Sequence, residues 1–269
     1  MLVCGNAAPR HQRSLLPPVE LHRSGLVLSP LLRRGRSPVL SICALAVNLP
    51  PMTIDERGDV VGRAVLDFGV VILAAGASSR MGKPKLLLPW GVTSVLGHLI
   101  GQWKALRAGQ IAAVWATGDQ AVSVELDRLG FPKVNRVVNP TPERGMFSSI
   151  QCAARWSGWN AQLTHWAIVL GDQPHLRRET LRALLDFAGA QSNQVCQPSR
   201  LGRPRHPVVV PKTVFVELKD SRAATLKEFL QALPSGAALC ELDDPGLDFD
   251  VDTPADYEQA LRLFLETPH

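Results

Sequence analysis

The chain has 269 residues, 46% hydrophobic and 20% charged, an ordinary globular composition with room for one large α/β domain or two small ones. Its formal charge of +5 is confined to residues 1–51, which carry six Arg and one Glu; the remainder holds 23 basic and 23 acidic residues, so its bulk charge argues against a nucleic-acid partner. Five scattered cysteines without a C-x-x-C pair argue against a disulfide framework or zinc knuckle and fit packing thiols in a reducing cytoplasm, and no apolar run approaches the roughly 18 residues that cross a bilayer.

Residues 1–65 are rich in Pro and Arg, lack sustained periodicity, and contain the breaker pairs Pro17-Pro18 and Pro50-Pro51. Such a segment buries too little apolar surface to offset its ordering entropy, so no elements are expected there. The segment is read as a disordered tail or as an extension ahead of a true start at Met52. Its Arg-rich, acid-poor start leaves a targeting leader open as the alternative.

From Phe68 short apolar runs alternate with amphipathic stretches, the pattern of βαβ units around a mostly parallel sheet. Strands are predicted at Val70 to Ala74, Ile111 to Ala116, Val134 to Val138 and Trp166 to Leu170. Helices are predicted at Ser94 to Arg107, Gln120 to Leu129, Ser148 to Trp156 and Arg178 to Ala188. Weaker strands follow at Val195 to Gln197, Pro207 to Val210 and Ala238 to Leu242. Helices at Thr213 to Leu218, Ala223 to Leu233 and Pro254 to Leu265 complete the domain of residues 66–269.

The segment from Val71 to Lys85 leaves a buried strand and enters a loop of small residues carrying the cations Arg80, Lys83 and Lys85. Small residues let backbone N–H groups approach phosphate oxygens, and the cations neutralise the remaining charge. The loop is not a Walker A sequence, because five residues separate Gly76 from Gly82 and Pro84 follows Lys83. A plain surface turn with solvated cations is the alternative.

Asp172 follows the Trp166 to Leu170 strand, at the carboxyl end where open α/β sheets bind ligands. It could hold a hard cation or simply cap a turn. In Asp248-Phe249-Asp250-Val251-Asp252-Thr253-Pro254 the acids alternate with apolar residues, so the three carboxylates would share one face of a strand. The alternative is a solvated edge with Asp252 or Thr253 capping the helix that Pro254 opens.

Leu73 to Pro89 resembles, without a gap, the signature L-A-A-G-x-S-x-R-M-G-x-x-K-x-L-L-P of the MobA-like nucleotidyltransferases, and is most similar to the molybdenum cofactor cytidylyltransferases among them. The resemblance implies a single Rossmann-like α/β domain of the glycosyltransferase-A type. It implies nucleotide contacts from Leu73, Ala74, Ala75, Gly76, Ser79, Arg80, Gly82 and Lys85, with Arg80, Lys85 and Asp172 carrying catalysis. Gly171-Asp172-Gln173-Pro174 is similar to the family's metal motif, with Asp172 on Mg²⁺. The D-x-D-T-P stretch supplies a second ligand, Asp252 ahead of Asp250.

Asn139-Pro140 through Gly145-Met146 to Ser149 is similar to the family's N-P-x-x-x-x-G-M-x-S-S, which adds Gly145 and Ser149 to the nucleotide contacts. Gly202 to Pro207 looks like the substrate loop G-x-x-G-H-P, with His206 and Gln173 as acceptor contacts; His206 could equally be packed beside Pro207. Arg205 stands where the family has Gly, and Asp220 to Ala223 replaces a Gly-rich turn.

The implied reaction is Mg²⁺-dependent transfer of CMP from CTP to a molybdopterin-type phosphorylated acceptor with release of pyrophosphate. The L-A-A-G start carries the choice of cytidine. Transient contact with a molybdenum hydroxylase is a further implication. A relative using another NTP or acceptor, and a non-catalytic carrier of the molybdenum cofactor, are the alternatives. A nicotinamide enzyme fails on the missing G-x-G-x-x-G.

Overall fold

The computed structural model describes residues 53–54, 60–61, 66–76, 81–191 and 193–266. Most of residues 1–65 therefore lies outside the described residues, Cys4, Cys43 and Met52 included. Within that stretch, for which no element is predicted, β1 (Thr53–Ile54) pairs antiparallel with β2 (Val60–Val61).

The main sheet begins with β3 (Phe68–Leu73), buried at all six positions as expected of a strand covered on both faces. A hairpin of β4 (Pro89–Trp90) and β5 (Thr93–Ser94), which the apolar pattern does not disclose, leads into α1 (Val95–Ala105), capped by the Ser94 hydroxyl. Then come β6 (Gln110–Ala116), α2 (Gln120–Arg128), β7 (Arg136–Asn139), α3 (Met146–Arg155), β8 (His165–Leu170) and α4 (Arg178–Ala190). The chain continues through β9 (Val195–Arg200), β10 (Arg203–Pro204), β11 (Val208–Pro211), α5 (Lys212–Leu218), α6 (Leu226–Gln231), β12 (Ala237–Glu241) and α7 (Pro254–Glu266).

The sheet runs β10-β9-β11-β8-β3-β6-β7, with β12 beside β9. Pairs β8–β3, β3–β6, β6–β7 and β9–β12 are parallel; β11 and β10 are reversed. The mostly parallel α/β sheet is as predicted. Alternate residues of β3 face two cores. Val70 and Ile72 pack with Leu99 and Trp103 of α1, Leu126 of α2 and Leu184 of α4. Val71 and Leu73 join the core that holds Phe147 and Ile150 of α3 and Phe215 of α5. The fold is thus a sheet between two helical layers.

From β3 the chain winds outward through β6 and β7, then returns to place β8 on the other side of β3. The loops leaving β3 and β8 diverge at this switch point, where sheets of this class open a ligand crevice.

Two predicted elements differ. The helix expected from Ala223 starts at Leu226, because the Thr225 hydroxyl accepts from Glu228 N (3.1 Å) while Glu228 Oε2 accepts from Ala224 N (2.8 Å), a reciprocal cap. Residues Asp248 to Asp252 form no strand: Pro245–Asp248 is a 3-10 turn, and the extended residues after it pair with no ladder. The three carboxylates accordingly do not line one strand face.

The packing role expected of the cysteines fits the described ones. Burial pushes the Cys196 thiol up to about 12 and that of Cys240 to about 11, which leaves both protonated and unreactive. Among the described residues no helix is long and apolar enough to cross a membrane.

Candidate active site

At the switch point β3 ends at Leu73, and both Leu73 and the following Ala74 are buried; Ala74 N–H bonds Val114 O at 2.7 Å, which continues the pairing with β6 by one residue. Ala75 and Gly76 emerge toward solvent, with open space beside Gly76 where a Cβ would stand. Ser79 and Arg80 lie outside the described residues. Gly82 is exposed with φ +64°, a left-handed conformation in which a side chain would be strained. The chain then turns through Lys85–Leu87, whose buried Leu86 fixes the base of Lys85.

Lys85 reaches two loops at once. Its Nζ donates to Asp172 Oδ2 at 2.8 Å and to Asp252 Oδ1 at 3.4 Å. Asp172 follows Gly171, which lets β8 close on β3: a Cβ at 171 would stand 2.8 Å from Leu73 O. Asp172 O accepts from Val251 N (2.9 Å), which holds the C-terminal acidic segment against β8. The other Asp172 oxygen, Oδ1, is buried without a hydrogen-bond partner.

Asp252 is not the cap of α7. Thr253 Oγ1 accepts from Asp256 N (3.3 Å), and Asp256 Oδ2 accepts from Thr253 N (2.8 Å) and Asp252 N (3.2 Å). The Asp252 carboxylate accepts from Lys85. Asp250 turns to Gln173, which donates from Nε2 at 2.9 Å. Burial, then the charges of Asp172 and Asp252, push the Asp250 carboxyl above its ordinary range. Asp248 departs from the other two and is bound by Arg205 and Arg200.

Asp244 and His175, which no motif singles out, also hold this segment. Buried Asp244 accepts from Thr180 Oγ1 (2.6 Å) and Gly246 N (2.9 Å) and pairs with Arg177 (3.3 Å). Burial raises the Asp244 carboxyl, but these donors outweigh it and the net shift is downward. His175 shares a hydrogen bond with Gly246 O (3.0 Å) and packs edge-on against Phe249.

His206 comes in from the opposite side, between β10 and β11. Its Nδ1 is buried without a partner, and burial drives its pKa down to about 4 against the opposing pull of Asp172, so the ring is neutral at pH 7. Gln173 is buried. The structure thus brings Lys85, Asp172, Gln173, Asp250, Asp252 and His206 to one place.

Gly145 and Ser149 play different parts in their loop. Gly145, exposed with φ +87°, precedes α3, whose first N–H groups lack a side-chain cap. Ser149 is buried, and its hydroxyl accepts from Asn139 Nδ2 (2.9 Å), as does that of Ser148 (2.8 Å). Asn139 Oδ1 accepts from Thr141 N (2.9 Å), so this fully buried amide braces the loop that carries Gly145.

A divalent cation suits the Asp172 and Asp252 oxygens. They are hard donors already gathered about one cation, the Lys85 ammonium, and Asp172 Oδ1 needs a partner. Among the described residues no group of three or more His, Cys, Asp or Glu could hold a metal alone. Magnesium commonly takes one or two carboxylates and completes its shell with substrate phosphates and water.

A match to the MobA-like NTP transferase domain spans residues 70–237. The chain belongs to this family. The molybdenum cofactor cytidylyltransferase of Escherichia coli (strain K12) is 27% identical over 198 residues, covering 73% of this chain and 96% of that one. The crystal structure of Rv0371c from Mycobacterium tuberculosis H37Rv superposes with a TM-score of 0.61 at 27% identity, over 73% of this chain and 98% of that one. A structure of Rv0371c in complex with manganese gives 0.56 at 25%, over 73% and 98%. The protein is a nucleotidyltransferase, and the Rossmann-like fold expected from Leu73 to Pro89 is the one observed.

Proposed function

We propose that this nucleotidyltransferase moves CMP from CTP to a molybdopterin-type phosphorylated acceptor, with Mg²⁺ and with release of pyrophosphate. The observation that carries the reading is the Lys85 bridge between Asp172 and Asp252 at the carboxyl ends of β3 and β8. Support for cytidine comes from the L-A-A-G start and from the Escherichia coli relative, named a molybdenum cofactor cytidylyltransferase. The manganese complex of Rv0371c supports a divalent ion.

In this reading the loop from Ala74 to Gly82 receives the triphosphate, and Arg80 and Lys85 stabilise charge that builds on the α-phosphoryl group and the leaving pyrophosphate. Asp172 and Asp252 would hold the magnesium, which supplies Lewis-acid stabilisation of the phosphate oxygens when bound. Asp250 orients Gln173 beside them. His206, neutral at working pH, would accept or donate one hydrogen bond to the acceptor without repelling a cation. The acceptor phosphate is already ionised and attacks in line, so the residues position and neutralise rather than remove a proton. The catalytic domain begins near residue 66 and works in the cytoplasm, with residues 1–65 an extension to it and a molybdenum hydroxylase the recipient of its product.

The test is a thermal-shift titration with CTP, GTP, ATP and UTP, each with and without Mg²⁺, followed by pyrophosphate release with the molybdenum cofactor. A ligand that binds only the folded state raises its stability by mass action. CTP with Mg²⁺ is expected to give the largest shift. A larger shift from another nucleotide would overturn the substrate assignment, and nucleotide binding without pyrophosphate release would favour a carrier.

A further inference from the structure

The arm that ends in His206 and the arm that carries Asp250 and Asp252 are joined by one ion cluster at the rim of the site. Arg205 donates to Asp248 Oδ1 from Nε (2.8 Å) and Nη2 (2.5 Å), and Arg200 donates to Asp248 Oδ2 from Nη1 (2.5 Å). Both carboxylate oxygens are engaged, and the two guanidinium groups hold the Asp248 carboxyl below the usual carboxylate range. Arg205 directly precedes His206, and Asp248 stands two residues before Asp250.

Arg205 occupies the position where the quoted family pattern has Gly, yet no left-handed backbone requires a glycine there. The left-handed residues of this hairpin are Leu201 (φ +51°) and Gly202 (φ +72°), which make the two-residue turn from β9 to β10. The Arg205 backbone is pinned separately, through Arg205 N to Pro198 O at 2.8 Å. The side chain is therefore not needed to shape the turn.

Nor is it needed to hold the arms to the core. Val208 to Val210 on one side and Leu247 and Val251 on the other are buried and anchor the arms without it. The ion cluster is partly exposed, and such pairs add little to global stability. What the cluster does fix is geometry: Arg205 closes Nε and Nη2 on Asp248 Oδ1 while Arg200 takes Oδ2, so the carboxylate is held from two directions by charge-assisted bonds.

We propose that Arg205, backed by Arg200, is a positioning residue for the acceptor: its grip on Asp248 sets the His206 arm against the Asp250 and Asp252 arm, and the phosphorylated acceptor binds between them. The proposal rests on the transferase reading above and concerns only its acceptor half. The nucleotide half, on the loop after β3, shares no residue with the cluster.

The test compares wild type, Arg205→Ala, Arg205→Lys and the exchange Arg205→Asp with Asp248→Arg in steady-state pyrophosphate release with CTP, Mg²⁺ and the molybdenum cofactor. Arg205→Ala is expected to raise KM for the acceptor about tenfold while KM for CTP stays within about twofold, the scale of a small misplacement of a bound reactant. Arg205→Lys, which keeps the charge and loses the fork, should fall between, and the exchange should recover most of the loss. An unchanged acceptor KM, an equal rise in both constants, or an exchange no better than Arg205→Ala would each overturn it.

Amide exchange of Arg205, His206 and residues 249–252 in the same proteins separates this proposal from the reading beneath it. Faster exchange in Arg205→Ala at an unchanged melting temperature is expected. Unchanged exchange overturns the clamp even if the acceptor proves to be another molecule, whereas wild type that releases no pyrophosphate overturns the acceptor alone.

Discussion

Lys85 Nζ stands 2.8 Å from Asp172 Oδ2 and 3.4 Å from Asp252 Oδ1, so one ammonium is shared by two carboxylates brought in by separate loops. A cation placed there competes with a metal for the same oxygens while it holds them together. Replacing it, as Lys85→Met, is expected to lower kcat by about 10²- to 10³-fold, the usual effect of removing one charge-stabilising group. The same variant should bind Mn²⁺ more tightly than wild type in the absence of nucleotide, read by the loss of free Mn²⁺ signal in electron paramagnetic resonance. Equal or weaker Mn²⁺ binding would mean that the ammonium does not contest the site.

Asp172→Ala should abolish turnover with the fold intact. Its backbone ties remain: Val251 N still finds the carbonyl of residue 172, and β8 is buried on both faces. Circular dichroism and pyrophosphate release measured on one preparation check both halves, and near-normal activity would remove Asp172 from the metal site.

Asn139 is the hub of the loop before α3. Truncation to Ala would deprive Thr141 N of its acceptor and both Ser148 and Ser149 of a donor in a buried setting. Groups buried without a partner each cost about 1–3 kcal/mol, so Asn139→Ala is expected to lose about 2–4 kcal/mol in urea unfolding. A loss below about 0.5 kcal/mol, the range of a neutral surface change, would show that water replaces the amide.

These predictions draw unequally on what a reader of the sequence could foresee. The entry to the Leu73 to Pro89 loop was legible because a buried strand announces itself as an apolar run. The placement of β3, β6 and β8 followed for the same reason, within two residues at each end. Asp248 was not legible. Its alternation with Asp250 and Asp252 has the period of a strand, but the Asp244 side chain caps a 3-10 turn at Pro245 that rotates Asp248 away, toward Arg200 and Arg205. Pairings between residues more than 40 positions apart leave no trace in local periodicity. Ser149 met a related obstacle: a serine near the start of a helix suits a cap or a ligand equally, and its hydrogen bond with Asn139, ten positions away, leaves no local signal.

His175 makes stability depend on pH. Burial lowers its pKa from the ordinary 6.5, although Gly246 O and the charges of Asp244 and Asp250 pull the other way. The folded protein therefore binds this proton less readily than the unfolded chain does. The stability it contributes is whole above about pH 6.5 and is lost as pH falls toward the depressed folded value. His206, lowered to about 4 by burial, acts in the same direction. Melting temperatures of wild type should drop between pH 7.5 and 5.5, and His175→Gln should flatten that slope in part, because His206 remains. An unchanged slope would mean that the His175 ring takes up its proton as readily in the folded state as in the unfolded chain.

Gly171 is required for contact rather than for conformation. A Cβ built there would lie 2.8 Å from Leu73 O and 2.8 Å from Leu86 Cδ2. The leucine tip could turn aside, but the carbonyl belongs to β3, which is locked between β6 and β8. Relief must come from β8 moving away from β3, which would carry Asp172 away from Lys85. Gly171→Ala is therefore expected to cost about 1–3 kcal/mol, as overpacking in a close-packed interior does. It should also weaken the Mg²⁺-dependent part of the CTP thermal shift more than the Mg²⁺-independent part, because Asp172 moves while the loop after β3 does not. A variant with wild-type urea stability would show that the two strands have room to separate; a loss shared equally by both parts of the shift would place the strain on the nucleotide loop instead.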